Sequence, residues 1–430
     1  MKIYQQIQNS KNAEFNLVVF CGSKDEKSGQ IGISHLLEHM NLAFAKQTSH
    51  WINVSGYTTY EYTQYCIKCK NSLSDVKKVI EKLKNIIEGK ELLEINLSGA
   101  QNDVIEEILE QRENSFFSMR NLLLPKILPD SLREKMPVGN IFDIKKISYT
   151  DIVKYQEDNY SFENIAVFSK CKYDVEELFF ENDKINYKNQ LESTCILIPD
   201  VKLSIWWDVA QLYYEENLKK NIIYFSFKNS FADLREFISQ EVQKNYFFLK
   251  FDFYLTKLVG NNVGATLYEN QIVKGVSIYS YEFVCVNKEF DIDEITLLVE
   301  TALEEIYSLE CDLDMLTLEK SKEIVFEKYQ NMNFEDKGKM DFLYGINTGL
   351  ITRKFLSQIP FSFSIKSIVE MIMKNEGKKN LEAKANFIDP RGGCGCATSS
   401  VRSMTRDSVC TCACGSSGVL NSAKTAGKNV

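Results

Sequence analysis

The chain has 430 residues, of which 44% are hydrophobic and 26% are charged, a composition typical of a soluble globular protein with two or three domains. Its net charge of −8 argues against nucleic acid as a main partner. No apolar run is long enough to span a bilayer, and the first residues lack the apolar segment of a signal peptide, so the sequence predicts a cytoplasmic protein.

Charge and cysteine are both divided unevenly along the chain. Residues 373–430 carry a charge of +5, whereas residues 1–372 carry −13. This separation predicts either electrostatic attraction between body and tail or only that each part is kept soluble by its own charge. Seven cysteines are scattered through the body, as expected of reduced thiols, and five crowd into the tail.

Predicted strands and helices alternate through the first half of the chain. Residues 15–20 have the composition of a strand, and the stretch from Ile31 to about Lys46 has apolar residues at helical spacing. The Thr- and Tyr-rich stretch 57–67 alternates as a strand does. Further elements are predicted at 74–88, 100–112 and 149–158 (helices) and at 164–168 (a strand).

The same kinds of element then recur. Strands are predicted at 203–210, 221–227 and 276–286, and helices at 231–259, 293–308 and 315–331. This order predicts an α+β fold made of two related α/β-sandwich repeats, over residues 1–190 and 195–372. Residues 373–430 lack apolar periodicity and are rich in Gly, Ser and Cys, so we expect a flexible tail.

The residues that indicate chemistry lie in the first predicted helix, at His35-Leu36-Leu37-Glu38-His39. His35 and His39 are four residues apart, so both imidazoles project from one face of a helix and can share a cation. Glu38 lies on the same side, close enough to act on a water held by that cation. The chain has only three histidines, which makes a chance occurrence improbable. The alternative without a metal is a partly exposed helix whose histidines pair with acidic side chains.

The segment GSKDEKSGQIGISHLLEHM resembles the opening of the zinc peptidase family of insulin-degrading enzyme, pitrilysin and mitochondrial processing peptidase. The resemblance continues in SGYTTYEYTQY at 55–65, where Ser55 and Gly56 replace the Asn-Ala pair of the family. It implies that the strand around Ser55, Gly56, Tyr57 and Thr58 is an edge that pairs with an extended peptide substrate.

The resemblance also implies a third metal ligand. The family pattern Val-Val-x-Glu-Glu-Ile is matched by VIEEI at 104–108, which makes Glu107 the ligand, with Glu106 or Glu110 as alternatives. A further family glutamate, seven residues earlier, is Ala100 here. In this scheme Zn²⁺ polarises the scissile carbonyl and acidifies its bound water, and Glu38 accepts the water proton and passes it to the leaving amine.

The second repeat departs from the family. Members usually carry Arg-x-x-x-Gly-x-x-Tyr there, and its Arg and Tyr hold the substrate. In LYENQIVKGVSIYSY, Gly275 matches, but Gln271 and Ile278 occupy the Arg and Tyr positions, and Tyr279 is adjacent. Because some family members are heterodimers, we expect this chain to be the zinc subunit of a pair whose partner carries Arg and Tyr. The alternative is a homodimer with altered substrate contacts.

The tail resembles the precursors of ruminococcin C-like sactipeptides, bacteriocins whose cysteine sulfurs are joined to backbone α-carbons. Residues 373–393 resemble the end of a leader and residues 394–430 a core, with the candidate cleavage region at Arg391, Gly392, Gly393 and Cys394. The other interpretation is an unassigned or metal-scavenging tail.

Together these features predict a zinc metalloendopeptidase that processes a modified bacteriocin precursor. One alternative is a non-catalytic module that captures the leader along the 55–65 strand. Another is an immunity or export factor. Zinc content and the effect of Glu38→Gln on peptide cleavage distinguish the metalloendopeptidase from the leader-binding module.

Overall fold

A computed structural model describes residues 1–43, 52–113, 128, 130–180, 204–214, 218–228, 230–260, 263–285, 290–309, 313–361, 363–374 and 419–420. The described chain divides into two compact units: unit 1, residues 1–180, and unit 2, residues 204–374 with 419–420. The exact bounds predicted from the sequence for the three segments, 1–190, 195–372 and 373–430, remain a prediction. No helix in the described part is both long enough and apolar enough to cross a membrane.

Unit 1 is built on a five-stranded sheet in the order β1-β5-β2-β4-β3. Only the β1–β5 pair is parallel, and the other neighbours are antiparallel. The strands are β1 Lys2–Ile7, β2 Asn12–Val19, β3 Asn53–Thr58, β4 Thr63–Lys70 and β5 Ile165–Cys171.

Helices cover one face of this sheet because apolar side chains alternate along its strands. Ala13, Phe15 and Leu17 of β2 are fully buried and belong to the same core as apolar side chains of the helices. The helices are α1 Ile33–Ala43, α2 Leu73–Ile87, α3 Leu97–Glu113, α4 Asp130–Arg133, α5 Ile141–Ile144, α6 Tyr149–Asn159 and α7 Val175–Phe180. Short 3₁₀ turns lie at Ser23–Asp25, Glu94–Asn96 and Phe162–Asn164.

The prediction of one strand over 57–67 was wrong, because the chain turns there between β3 and β4. The Thr59 hydroxyl accepts the backbone N–H groups of Glu61 (3.2 Å) and Tyr62 (3.0 Å), and it donates to the Tyr62 carbonyl. Such a local side-chain bond to the backbone favours a turn over continued extension. The turn places Thr58 opposite Thr63 at the end of a hairpin.

Unit 2 contains a second sheet, in the order β10-β8-β9-β7-β6, with all neighbours antiparallel. Its strands are β6 Ser204–Tyr214, β7 Leu218–Lys228, β8 Val263–Val273, β9 Val276–Cys285 and the two-residue β10 Val419–Leu420. Its helices are α8 Leu234–Val259, α9 Ile292–Tyr307, α10 Met315–Asn331, α11 Phe334–Tyr344, α12 Arg353–Ser357 and α13 Ile365–Lys374, with a 3₁₀ turn at Thr348–Leu350.

The core of unit 2 is aromatic. Phe225 of β7 packs edge-to-face against Phe247, Phe248 and Phe251 of α8, with ring centroids 5.1–5.5 Å apart. The helix α8 begins after Asp233, whose side chain accepts the N–H of Glu236. The mixed helix and sheet content agrees with the predicted α+β class.

Candidate metal centre

The histidine motif lies on α1, one face of which packs into the core of unit 1. The carboxylate of Glu26 accepts the N–H groups of Gly32 (2.8 Å) and Ser34 (3.0 Å), which would otherwise be unsatisfied at the start of this helix. A negative charge there also interacts favourably with the helix dipole.

Buried hydroxyl groups hold the inner side of α1 in place. The Ser34 hydroxyl lies 2.8 Å from the Tyr155 hydroxyl of α6. Farther along, Asn41 donates to the Tyr65 hydroxyl at 3.0 Å, and Tyr65 in turn lies 2.6 Å from the Tyr160 hydroxyl. These contacts fix the rotation of α1 and so the direction in which its histidines point.

The structure brings His35, His39 and Glu107 together. Oε2 of Glu107, on α3, lies 3.3 Å from Nε2 of His35 and 3.5 Å from Nε2 of His39. One ligand atom from each residue lies within 4.8 Å of the others, and no further cluster of three or more such ligands occurs in the described part of the chain.

This geometry fits zinc. Zinc bonds of 2.0–2.1 Å in a tetrahedron place neighbouring ligand atoms about 3.3–3.4 Å apart, close to the two measured separations. Two imidazoles and one carboxylate are also a donor set that zinc accepts while leaving a position open. Of the three acids considered from the sequence, Glu107 makes these contacts, whereas Glu106 and Glu110 are exposed on α3.

The imidazole of His35 is held in one orientation. Its Nδ1 lies 3.2 Å from the carbonyl oxygen of Val138, so an Nδ1–H donor leaves Nε2 facing Glu107. Burial opposes a charge on His35, but its hydrogen bond to Glu107 and the charge of Glu107 outweigh burial and raise the pKa of His35 to about 9. Burial likewise opposes ionisation of Glu107, yet the two histidines hold the pKa of its carboxyl well below its usual range.

Glu38 is buried beside this cluster. Its Oε2 accepts a hydrogen bond of 3.1 Å from the Thr58 hydroxyl. Burial raises the pKa of Glu38, and the neighbouring histidines only partly offset that rise. A carboxyl group whose pKa is raised binds a proton more readily, which suits Glu38 to accept a proton and return it.

The four residues expected to bind substrate lie on β3 or at its end. β3 is the outer strand of the unit 1 sheet and pairs with β4 among the described strands, with Ser55 opposite Cys66 and Gly56 opposite Tyr65. The hydroxyl of Tyr57 donates to Gln64 at 2.7 Å. Thr58 is buried and its side chain contacts Glu38, a role that the sequence did not reveal.

Gln111 was also missed by the sequence analysis. Its Nε2 donates to Oε1 of Glu107 at 3.2 Å, which leaves Oε2 to the two imidazoles. The only sequence signal is its spacing of four residues from Glu107 on one helix. Ala100, at the position of a further family glutamate, is buried.

The β8–β9 pair of unit 2 carries the stretch that lacks the family's Arg and Tyr. Gly275 lies in the turn between the strands with φ 79°, a conformation that favours glycine. Ile278 and Tyr279 are buried, and the Tyr279 hydroxyl donates to Glu269 at 2.9 Å. Tyr279 is therefore not free to replace the missing substrate-holding Tyr. The candidate cleavage region 391–394 lies outside the described residues.

Comparison with known proteins finds one family model that matches part of the chain and several solved structures that resemble it in fold. Residues 2–140 match the model of the insulinase family, peptidase family M16. No curated protein sequence matches significantly.

Three solved structures illustrate the likeness in fold. The periplasmic protease PqqL from Escherichia coli has a TM-score of 0.67 at 13% identity, over 87% of this chain but 45% of that one. The first half of PqqL gives 0.66 at 12% identity, over 87% of both chains. A protease from Helicobacter pylori gives 0.53 at 15%, over 86% of this chain and 93% of that one. The chain thus resembles the first half of PqqL in fold and spans 45% of the longer PqqL chain.

Proposed function

We propose that this chain is a zinc metalloendopeptidase, with His35, His39 and Glu107 as zinc ligands and Glu38 as the catalytic base. The observation that carries the proposal is the approach of both imidazoles to one oxygen of Glu107, with a buried carboxylate three residues from His35. The match of residues 2–140 to the M16 family supports it.

The chemistry assigns a separate task to each group. A zinc ion held by His35, His39 and Glu107 would supply a Lewis acid to polarise the scissile carbonyl and acidify the attacking water. Glu38 accepts the proton of that water on its carboxylate and transfers it to the nitrogen of the leaving amine. The Thr58 hydroxyl holds Oε2 of Glu38, so the carboxylate is oriented before the substrate arrives.

The substrate is proposed to be an extended peptide that adds a strand to β3. This outer strand of the sheet can supply backbone groups to such a peptide, and Gly56 lies directly beside Glu38. The resemblance of residues 373–430 to a sactipeptide precursor supports, as the proposed substrate class, a modified bacteriocin precursor cut near Arg391–Cys394. The thiols of Cys21, Cys69 and Cys171 form no disulfide, which agrees with work in the reducing cytoplasm.

A second subunit completes the proposed enzyme. In this chain Gln271 and Ile278 stand where the family places the substrate-holding Arg and Tyr, and Tyr279 is engaged by Glu269. We therefore expect the partner to have the same fold and to carry an Arg and a Tyr on the strand pair that corresponds to β8–β9.

The proposal is tested by incubating a peptide of residues 373–430 with the zinc-loaded chain, alone and with that partner subunit, and locating cuts by mass spectrometry. We expect a cut within 391–394 that Glu38→Gln slows by about 10²–10⁴-fold. The exposed neighbour variant Glu106→Gln should cut at the normal rate. Equal cutting by Glu38→Gln, or none by the zinc-loaded pair, contradicts the proposal.

The other function that β3 supports is capture of the leader without cleavage, because an outer strand can pair with a peptide whether or not a metal is present. Binding of the 373–393 peptide that is unaffected by a chelator, without any cleavage, identifies this module.

A further inference from the structure

A group of buried charged residues lies in unit 2, and the proposed peptidase chemistry does not use it. It consists of Glu241 and Lys244 of α8 and Glu269 of β8, which are buried, together with Lys328 of α10, whose side chain is 15% exposed. Nζ of Lys328 donates to Oε2 of Glu241 at 2.6 Å and to Oε2 of Glu269 at 2.5 Å. One ammonium therefore bridges two carboxylates from different elements.

The other carboxylate oxygens are also satisfied. Oε1 of Glu241 accepts from Lys244 at 2.9 Å, and Oε1 of Glu269 accepts from the Tyr279 hydroxyl at 2.9 Å. Tyr329 adds a longer bond of 3.3 Å to Glu241. Two carboxylates and two ammonium groups balance, as a buried ionic group requires.

The surrounding framework repeats that of the metal centre. In unit 1, β2 leads through α1 to the β3–β4 hairpin, with β4 beside β2 and β3 outside. In unit 2, β7 leads through α8 to the β8–β9 pair, with β9 beside β7 and β8 on the far side of β9. The helix α10 packs on α8 as α3 packs on α1.

The two helices also carry polar residues at the same spacing. His35, Glu38 and His39 on α1 have the same i, i+3, i+4 spacing as Glu241, Lys244 and Asn245 on α8. Glu107 of α3 approaches the first residue of that set in unit 1, and Lys328 of α10 approaches the first residue in unit 2. Burial disfavours a charge on Lys328, but Glu241 and Glu269 outweigh it and raise the pKa of Lys328 well above its usual range.

We propose that the Lys328 ammonium is the resident cation of a site in unit 2 that is built like the metal centre of unit 1, and that it excludes divalent ions from that site. Removing the ammonium leaves two carboxylates that face a common space, a donor set suited to Mn²⁺, Mg²⁺ or Ca²⁺ rather than to zinc. The proposal does not depend on peptidase activity in unit 1.

The test uses the full chain with His35→Ala and His39→Ala, so that Mn²⁺ bound at the candidate site of unit 1 does not interfere. We expect this background to bind no Mn²⁺ in a titration followed by electron paramagnetic resonance. Adding Lys328→Ala should create one Mn²⁺ site per chain, and further Glu269→Gln should abolish it. Lys320→Ala, an exposed lysine of the same helix, should create none.

Stability gives an independent readout if Lys328→Ala folds poorly. Lys328→Met leaves two carboxylates with the single ammonium of Lys244 and should lower the unfolding temperature by roughly 10 °C. Adding Glu269→Gln should recover most of that loss, because the Glu241–Lys244 pair that remains is balanced in charge. The proposal is overturned if the background binds Mn²⁺ through Glu269, if a folded Lys328→Ala chain binds none, or if the Lys328→Met/Glu269→Gln variant is no more stable than Lys328→Met.

Discussion

Gly56 of β3 lies against Glu38 of α1 so closely that there is no space for a methyl group between them. A β-carbon at Gly56 would stand 2.6 Å from Oε1 and 2.9 Å from Cγ of Glu38, and 2.8 Å from Cδ1 of Leu42. The family that the sequence resembles has Asn-Ala where this chain has Ser55-Gly56. The close contact explains the glycine, because glycine lets the outer strand approach the Glu38 carboxylate.

Gly56→Ala is therefore expected to displace Glu38 or to push β3 away from it. A displacement of about 1 Å at a catalytic group costs on the order of 10²-fold in rate, so peptide cleavage should fall by about that factor. Zinc content should stay unchanged, because the three atoms nearest to the added β-carbon belong to Glu38 and Leu42 and not to a candidate ligand. The measurements are kcat on the tail peptide and metal analysis of the same sample.

The control for that variant is Gly99→Ala. Gly99 is exposed on α3, and a β-carbon there meets nothing within 4 Å. Alanine in a helix interior is favoured over glycine by up to about 1 kcal/mol, so this variant should be as active and slightly more stable. If Gly56→Ala is as active as Gly99→Ala, close approach of β3 is not important for Glu38.

Gln111→Ala is expected to weaken zinc binding about 10–100-fold, because the hydrogen bond from Gln111 orients the Glu107 carboxylate. Competition with a chromophoric chelator measures the affinity. Gln101→Ala is the matched control, since Gln101 lies on the same helix but donates to the carbonyls of Ile144 and Ile147. It should lose some stability and keep its zinc affinity. Equal zinc affinities for both variants and the unaltered chain would remove Gln111 from the site.

Site residues could be predicted where they are neighbours on one helix, and could not be predicted where a tertiary contact decides the role of the side chain. His35, Glu38 and His39 were predictable because their relation is set by one helix turn. Gln111 and the inward role of Thr58 were not, since nothing in a list of residues says which hydrogen bond a side chain makes.

The missed elements have local causes. The turn at Thr59 was missed because it contains no Gly or Pro. β8 was missed because Glu269, Asn270 and Gln271 interrupt its apolar alternation, and Glu269 is polar there for a tertiary reason, its ion pair with Lys328.

Zinc binding should release a proton below about pH 9. Burial lowers the pKa of His35, but Glu107 outweighs burial and raises it from 6.5 to about 9 when no metal is bound. His35 is therefore protonated in this range. A zinc ligand must be a neutral imidazole, so binding displaces that proton. The apparent zinc affinity should then rise about tenfold per pH unit from pH 6.5 toward 9 and level off above it.

Calorimetric titrations at pH 7.5 in buffers of different ionisation enthalpy measure this proton directly. A slope of about one proton per zinc is expected from His35. The ion pair of protonated His35 with Glu107 also stabilises the metal-free fold below pH 6.5. This contribution should be lost as the pH rises through about 9. A zinc affinity that does not vary between pH 6.5 and 9 would contradict the assignment of His35 as a ligand.

The central claim, that α1 and α3 together hold one zinc ion, is tested most directly by the zinc content of three forms of the chain. Mass spectrometry of the purified proteins should find one zinc per chain in the unaltered protein and in Glu106→Ala, and almost none in Glu107→Ala. A folded, unaltered chain that binds no zinc when zinc is supplied, or loss of zinc from Glu106→Ala with retention in Glu107→Ala, would contradict it.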